Sequence, residues 1–185
     1  MELLTPRLRL DALGEPDAEA LFRYRSDPEV SRYQGWRPAS MEGALHFIQQ
    51  QQGIAHDAPG TWFQRAIRLR KDDELVGDLG LHFVGEATVE LGITLAPAHQ
   101  GRGLAAEALS AMLDFVFGTL HKHRAFGSVD PRNATSIRLL TRLGMRKEAH
   151  LIESVRCDDG WADDAIYALL DREWSALHAS GRRRG

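Results

Sequence analysis

Apolar and polar positions alternate from Arg7 to Leu13, with Leu8 and Leu10 set against Arg7, Arg9 and Asp11, a period of two that predicts a half-buried strand. Over residues 16–26 the apolar positions Ala20, Leu21 and Tyr24 fall three or four apart, which predicts a helix interrupted near Asp27 and Pro28. Ser40 is placed as the N-cap of a second helix that runs through Leu45, Phe47 and Ile48 into the glutamines 49–52. Residues 62–70 and 74–84 read as two strands joined by the polar turn Lys71, Asp72, Asp73, a hairpin. VELGITLAP then forms a strand ended by Pro97, and after HQGRG an amphipathic helix covers about 104–117. In that helix Leu104, Ala108, Met112 and Val116 recur at four-residue spacing, with Leu109 and Leu113 widening the stripe.

A strand at 125–129, a loop at 130–132 and a helix at 133–143 capped by Gly144 come next. Residues 146–155 and 161–170 read as two more strands around Asp158, Asp159 and Gly160, followed by a final turn of helix that frays beyond Asp171. The order is neither a regular β–α alternation nor all-β. It predicts one α/β (α+β) domain, a mixed sheet with helices on its faces, with no internal repeat and no linker.

Composition narrows the function without naming it. The chain has 185 residues, 43% hydrophobic and 26% charged, enough for a sizeable core. Its 23 Lys and Arg against 26 Asp and Glu give −3; without Arg182, Arg183 and Arg184 of the terminal tail the body holds 20 against 26, or −6. That balance argues against a nucleic-acid face and suits a neutral or cationic ligand. No apolar run approaches the ~20 residues of a membrane span, and MELLTPRLRL lacks the layout of a signal peptide, so the expected location is cytoplasmic. Cys157 stands alone, HExxH is missing and the HKH at 121–123 is too compact for a ligand set, so no metal is expected. The domain is expected to span 1–178, with 179–185 as a basic tail.

A glycine-rich loop between a strand and a helix offers unpaired backbone N–H groups at the positive end of a helix dipole and lets a phosphate approach closely. A Walker loop has no match. Gly101, Gly103 and Ala106 fit the dinucleotide pattern GxGxxA, with Asp130 where a ribose-binding acid would stand. Against it, residues 96–100 separate the glycines from their strand, and only 55 residues remain after Asp130 to build a second half-sheet. A glycine turn without a ligand is the plainest alternative. The third candidate is coenzyme A: Gln100, Gly103 and Ala105 match QxxGxA, preceded by a strand, followed by a helix, and with NxxSxxxLxxLG downstream.

On these residues the sequence resembles the GNAT superfamily of N-acetyltransferases, and more closely its RimJ/RimL-type branch. The likeness runs through TPRLRL, DPEV, ELGITLAPAHQGRGLAAEAL, NATSIRLLTRLGM and GWADDAIYALLDREW, nearly the whole chain. It implies a mostly antiparallel splayed sheet, acetyl-CoA as cosubstrate, and an amine acceptor that is a protein or peptide α-amine or a small molecule. It further implies that backbone amides of Gly101, Arg102, Gly103, Leu104, Ala105 and Ala106 hold the pyrophosphate, with Gln100 and Arg102 flanking it. The strand edge Ile93, Thr94 and Leu95 is expected to pair with the pantetheine arm, an amide near Leu95 to serve as oxyanion donor, and Asn133 to contact the arm or cap its helix. Gly92 is expected at a bulge that opens the sheet.

Direct attack by a neutral amine needs a base for the amine, a donor for the oxyanion and an acid for the leaving thiolate. The tyrosine that many superfamily members place in the helix after the asparagine is Leu140 here; Ser136, one helical turn after Asn133, matches the serine of the RimJ/RimL-type pattern, and the resemblance implies it as the candidate acid instead. Glu90 is the first choice of base and His82 the second; Trp36 and Trp62 are candidate liners of the acceptor groove. An α-amine with pKa about 7.7–8.0 is neutral in roughly one molecule in ten at pH 7, a lysine only about once in several thousand, so an α-amine needs little help. A non-catalytic acyl-CoA-binding or regulatory domain is the second reading, prompted by Leu140. Oligomeric state stays open between monomer and homodimer.

Overall fold

The computed structural model describes residues 1–157 and 160–181. Its strands are β1 (Leu3–Leu4), β2 (Leu8–Asp11), β3 (Trp62–Leu69), β4 (Leu75–Phe83), β5 (Thr88–Leu95), β6 (Arg124–Val129), β7 (Arg146–Cys157) and β8 (Gly160–Leu170). The helices are α1 (Ala18–Arg25), α2 (Pro28–Ser31), α3 (Met41–Gln51), α4 (Leu104–Gly118), α5 (Ala134–Arg142) and α6 (Asp171–Gly181). Among the described residues the strands make one sheet in the order β1-β2-β3-β4-β5-β6-β8-β7, antiparallel at every junction except β5 with β6. The mixed sheet flanked by helices is therefore as expected.

Strand alternation sorts the core into two layers. Ala66 and Ile67 are neighbours on β3 and point to opposite faces. Ile67 joins Phe63, Leu79, Leu81, Phe83 and Leu91 against the α4 stripe of Leu104, Ala108, Leu109, Met112, Leu113 and Val116. Ala66 joins Leu21 and Tyr24 of α1 and Ala44 and Ile48 of α3 on the other side. The four-residue stripe read in α4 is buried throughout.

Several boundaries differ from the sequence pattern. The first helix opens as a 3-10 turn at Glu15–Asp17, because the Asp17 carboxylate accepts from the Gly14 amide at 2.7 Å and from Arg68 at 2.6 Å. Those bonds fix the turn to β3. Pro28–Ser31 forms a short extra helix capped by the Asp27 carboxylate, which accepts from the Glu29 amide at 2.9 Å. The final turn expected after Asp171 is an eleven-residue helix, docked by the buried Trp174, whose indole N–H donates to Asp114 at 2.9 Å. This helix runs across the expected boundary at 178–179. Asp158, Asp159 and the tail arginines lie outside the described residues. No helix among the described residues is long and apolar enough to cross a membrane.

Candidate active site

The parallel junction is short. β5 pairs with β6 only through Thr88↔Arg124, Val89↔Ala125 and Glu90↔Phe126, although β5 continues to Leu95 and β6 to Val129. Beyond Glu90 the two strands part and leave a wedge whose β5 wall is the unpaired edge of 91–95. β4 stays in register along the other edge of β5, through Gly80↔Gly92 and on to Gly77↔Leu95. The bulge expected at Gly92 is thus not there; the sheet opens by divergence of β6, and Gly92 does something else.

At the mouth of the wedge the chain leaves β5 through Pro97–His99 and enters α4, and leaves β6 to enter α5. Gly101 and Gly103 hold φ of 72° and 77°, the left-handed region where glycine carries no Cβ penalty. Residues 101–103 are exposed, and Gly103 caps α4 with no side-chain hydrogen bond to its first amides. Exposed, uncapped N–H groups at a helix start are what an anion needs. Leu104 is buried, so its side chain belongs to the core and only its backbone faces the loop.

Arg7 completes this cradle and was not singled out in the sequence. Its Nη1 donates to the Arg102 carbonyl at 3.0 Å and its Nε to Glu107 at 2.6 Å, and a Cβ at Gly103 would lie 3.5 Å from Nη2. Glu107 also accepts from the Thr5 hydroxyl at 2.6 Å and the Arg7 amide at 2.9 Å. Burial pushes the Glu107 carboxyl up, but these three donors outweigh it and hold the group below its usual range. The partners are 100 residues apart, so no local spacing signals them.

The other loop residues divide. Arg102 is exposed, with Nη1 3.4 Å from His99 Nδ1, and His99 Nε2 lies 3.3 Å from Glu74. Gln100 is exposed, and its Nε2 donates to the Leu95 carbonyl at 3.0 Å, tying loop to strand. Leu95 and Thr94 are buried, the Thr94 hydroxyl donating to Gln34 at 2.9 Å, and 93–95 lie on the stretch of β5 that β6 leaves unpaired. Asn133 caps α5, its Oδ1 accepting from the Ser136 amide at 3.0 Å. Ser136 is half-buried in the first turn of α5, and among the described residues its hydroxyl has no hydrogen-bond partner. Leu140 is turned into the core, 3.2 Å from where a Cβ on Gly127 would stand.

The face away from α4 carries the remaining chemistry. Trp62, His82, Glu90 and Phe126 stand in one cross-strand row. The His82 and Trp62 rings stack at 4.9 Å and 9°, and His82 Nδ1 lies 3.1 Å from Glu90 Oε2. Gly80 and Gly92 pair beneath the indole: a Cβ on Gly80 would come within 2.9 Å of Trp62 Cε3, and one on Gly92 within 3.5 Å of Cζ3. These glycines make the floor that seats Trp62. Trp36 stacks on Phe47 at 4.2 Å, over the α3 side of the same face. Across the wedge Ser128 donates to the buried Asp164 at 2.8 Å, a pair that strand alternation puts on the Glu90 face and that no sequence motif marked.

Comparison with known proteins bears on this arrangement. Residues 7–146 match the family model described as acetyltransferase (GNAT) domain. The chain is 30% identical over 177 residues to the uncharacterized N-acetyltransferase YnaD of Bacillus subtilis, covering 95% of this chain and 100% of that protein. It is 35% identical over 85 residues to the [ribosomal protein uS5]-alanine N-acetyltransferase of Escherichia coli, covering 46% of this chain and 44% of that one. A crystal structure of a GNAT-family acetyltransferase from Bacillus anthracis superposes with a TM-score of 0.85 at 28% identity, over 94% of this chain and all of the other.

Proposed function

The chain belongs to the GNAT family of acetyltransferases, and we propose that it moves the acetyl group of acetyl-CoA to a neutral primary amine by direct attack in a ternary complex. The observation that carries this reading is the wedge between β5 and β6, with the uncapped start of α4 at its mouth and Glu90 on the sheet face beside it. The pyrophosphate is received by the amides of 101–106, with the Arg102 and Arg7 side chains as cations. The pantetheine arm enters the wedge and pairs with the open edge at 93–95, as a peptide-like strand would.

The chemistry then follows by position. Glu90 takes a proton from the acceptor ammonium, and the amine lone pair attacks the thioester carbonyl carbon. A backbone N–H near Leu95 receives the developing oxyanion. The attacking nitrogen gives up its second proton to solvent, the carbonyl re-forms as the C–S bond breaks, and the thiolate takes a proton from the uncommitted Ser136 hydroxyl, which recovers one from solvent. Asn133 sets the start of the helix that carries Ser136. A non-catalytic binding role is not favoured: the YnaD relative, aligned along its whole length, is named an N-acetyltransferase, and the departure behind the alternative, Leu140, is a core residue.

We assign the acceptor as the α-amine of a protein or peptide, or a small-molecule amine of similar basicity, supported by the alanine acceptor in the name of the Escherichia coli relative. The test is release of CoA thiol from acetyl-CoA with N-terminal peptides, amino acids and polyamines. Peptide or amino-acid α-amines are expected to release thiol fastest, and Ser136→Ala to slow that release about tenfold or more without weakening coenzyme binding. Faster release with polyamines overturns the acceptor, and an unchanged rate in Ser136→Ala removes Ser136 from the reaction.

A further inference from the structure

Glu90 is held through a chain of contacts that begins two strands away, at Trp62 on β3. The paired glycines 80 and 92 leave room for the indole of Trp62, which any side chain at Gly80 would displace. The indole lies parallel to the His82 ring, 4.9 Å away with 9° between planes, and so fixes the plane of the imidazole. That plane brings Nδ1 to 3.1 Å from Glu90 Oε2. A carboxylate oxygen only accepts, so Nδ1 carries the hydrogen in this contact. Both side chains stay partly open, 29% and 23% exposed, and among the described residues Oε1 of Glu90 has no partner.

We propose that His82 is the positioning residue for Glu90: through Nδ1–H it anchors Oε2 and leaves Oε1 to take the proton of the acceptor ammonium. Trp62 and the glycine floor set the imidazole plane from which this anchor works. The proposal rests on Glu90 as the base. It assigns His82 no proton transfer, which separates it from the reading in which the imidazole is itself the base. A carboxylate displaced by about 1 Å from its working position is enough to cost roughly a hundredfold in rate.

Three substitutions at His82 and one at Glu90 decide the matter. His82→Ala is expected to lower kcat with amine acceptors by about tenfold to a hundredfold, leaving KM for acetyl-CoA unchanged. His82→Asn, whose amide nitrogen stands near the place of Nδ1, is expected to recover most of that loss; His82→Gln, whose nitrogen stands near Nε2, is not. A His82→Asn enzyme as slow as His82→Ala overturns the proposal, since the imidazole itself would then be needed. Full rate in His82→Ala with a slow Glu90→Gln overturns the role of His82 and leaves Glu90 standing, whereas full rate in Glu90→Gln removes the base and its anchor together. Independent of turnover, the ¹⁵N shifts of the His82 ring are expected to report the Nδ1–H form in the unsubstituted protein. The Nε2–H form there overturns the proposal.

Discussion

Asp78 and Glu90 are carboxylates on the same face of the same sheet, and they lead opposite lives. Asp78 is 0% exposed beneath α1, where the Tyr24 hydroxyl donates to it at 2.6 Å, Arg25 Nε at 3.1 Å, and Arg25 Nη2 and Gln64 Nε2 to the other oxygen. Burial and the carboxylate beside it push the Tyr24 hydroxyl well above its usual range. For Arg25, burial works against the charge, yet the attraction and hydrogen bond of Asp78 prevail and raise it. Among the described residues Glu90 has one partner and an open oxygen. Strand position makes both face the same way; what differs is the cover. A helix across the sheet turns an acid into a structural tie, and a diverging strand beside it leaves an acid available for chemistry.

The comparison breaks most visibly at the covered end. Asp78→Ala leaves the Arg25 guanidinium buried without its counter-ion, a situation that costs about 3–5 kcal/mol. We expect a loss of that size in urea or thermal unfolding, seen without coenzyme or amine. Replacing both partners, Arg25→Met with Asp78→Leu, is expected to recover part of it, because the ion pair is then removed whole while the buried Tyr24 hydroxyl and Gln64 amide still lose their acceptor. A double substitution as unstable as Asp78→Ala would show that the tie is not set by charge. Glu90→Gln is expected to leave the unfolding transition within about 0.5 kcal/mol, as for a surface site.

The covered end was the more legible part in the sequence, and the open end the less. The period of two in β2, the hairpin of β3 and β4 and the apolar stripe of α4 mark their elements because burial imposes a repeat on each. Glu90, His82 and Trp62 each drew notice singly, but their row exists only through the register of three strands, and register is a property of pairing rather than of any one strand. The glycine loop was legible as a local pattern. Arg7 at its rim was not, since its tie to Glu107 spans 100 residues. The misplaced bulge has the same origin: Gly92 alone suggests an opening, while Gly92 opposite Gly80 is a seat for an indole.

A substitution at the loop tests whether the open end binds by backbone, as the covered end binds by side chain. Gly103 has φ of 77°, and its Cβ would stand 3.5 Å from Arg7 Nη2. Gly103→Trp is expected to weaken coenzyme binding by a hundredfold or more, about 2.7 kcal/mol, by filling the approach of the phosphate. The left-handed backbone adds a stability loss of about 1–2 kcal/mol that is measurable without ligand. Retained affinity in calorimetry with CoA would contradict the backbone cradle.

Glu107 stands between the two cases, a carboxylate that is tied like Asp78 yet serves the open end, since it holds Arg7 against the loop. Glu107→Gln keeps the shape and removes the charge, and at pH 7 we expect a loss of about 1–2 kcal/mol from the weakened bonds to Arg7 and Thr5. The sign of the pH dependence follows from the depressed carboxyl. The folded group ionises below its ordinary value of 4.5, so the unfolded chain binds the proton first as the pH falls. The stability that depends on the charge is therefore complete above that value and is lost as the pH drops through the lower, folded one. The gap between the two proteins in urea unfolding is expected to be widest at neutral pH and to close in acid. A gap of constant width down to pH 3 would mean that Glu107 holds Arg7 by shape alone, as a buried tie would, and that its charge contributes nothing to the rim of the cradle.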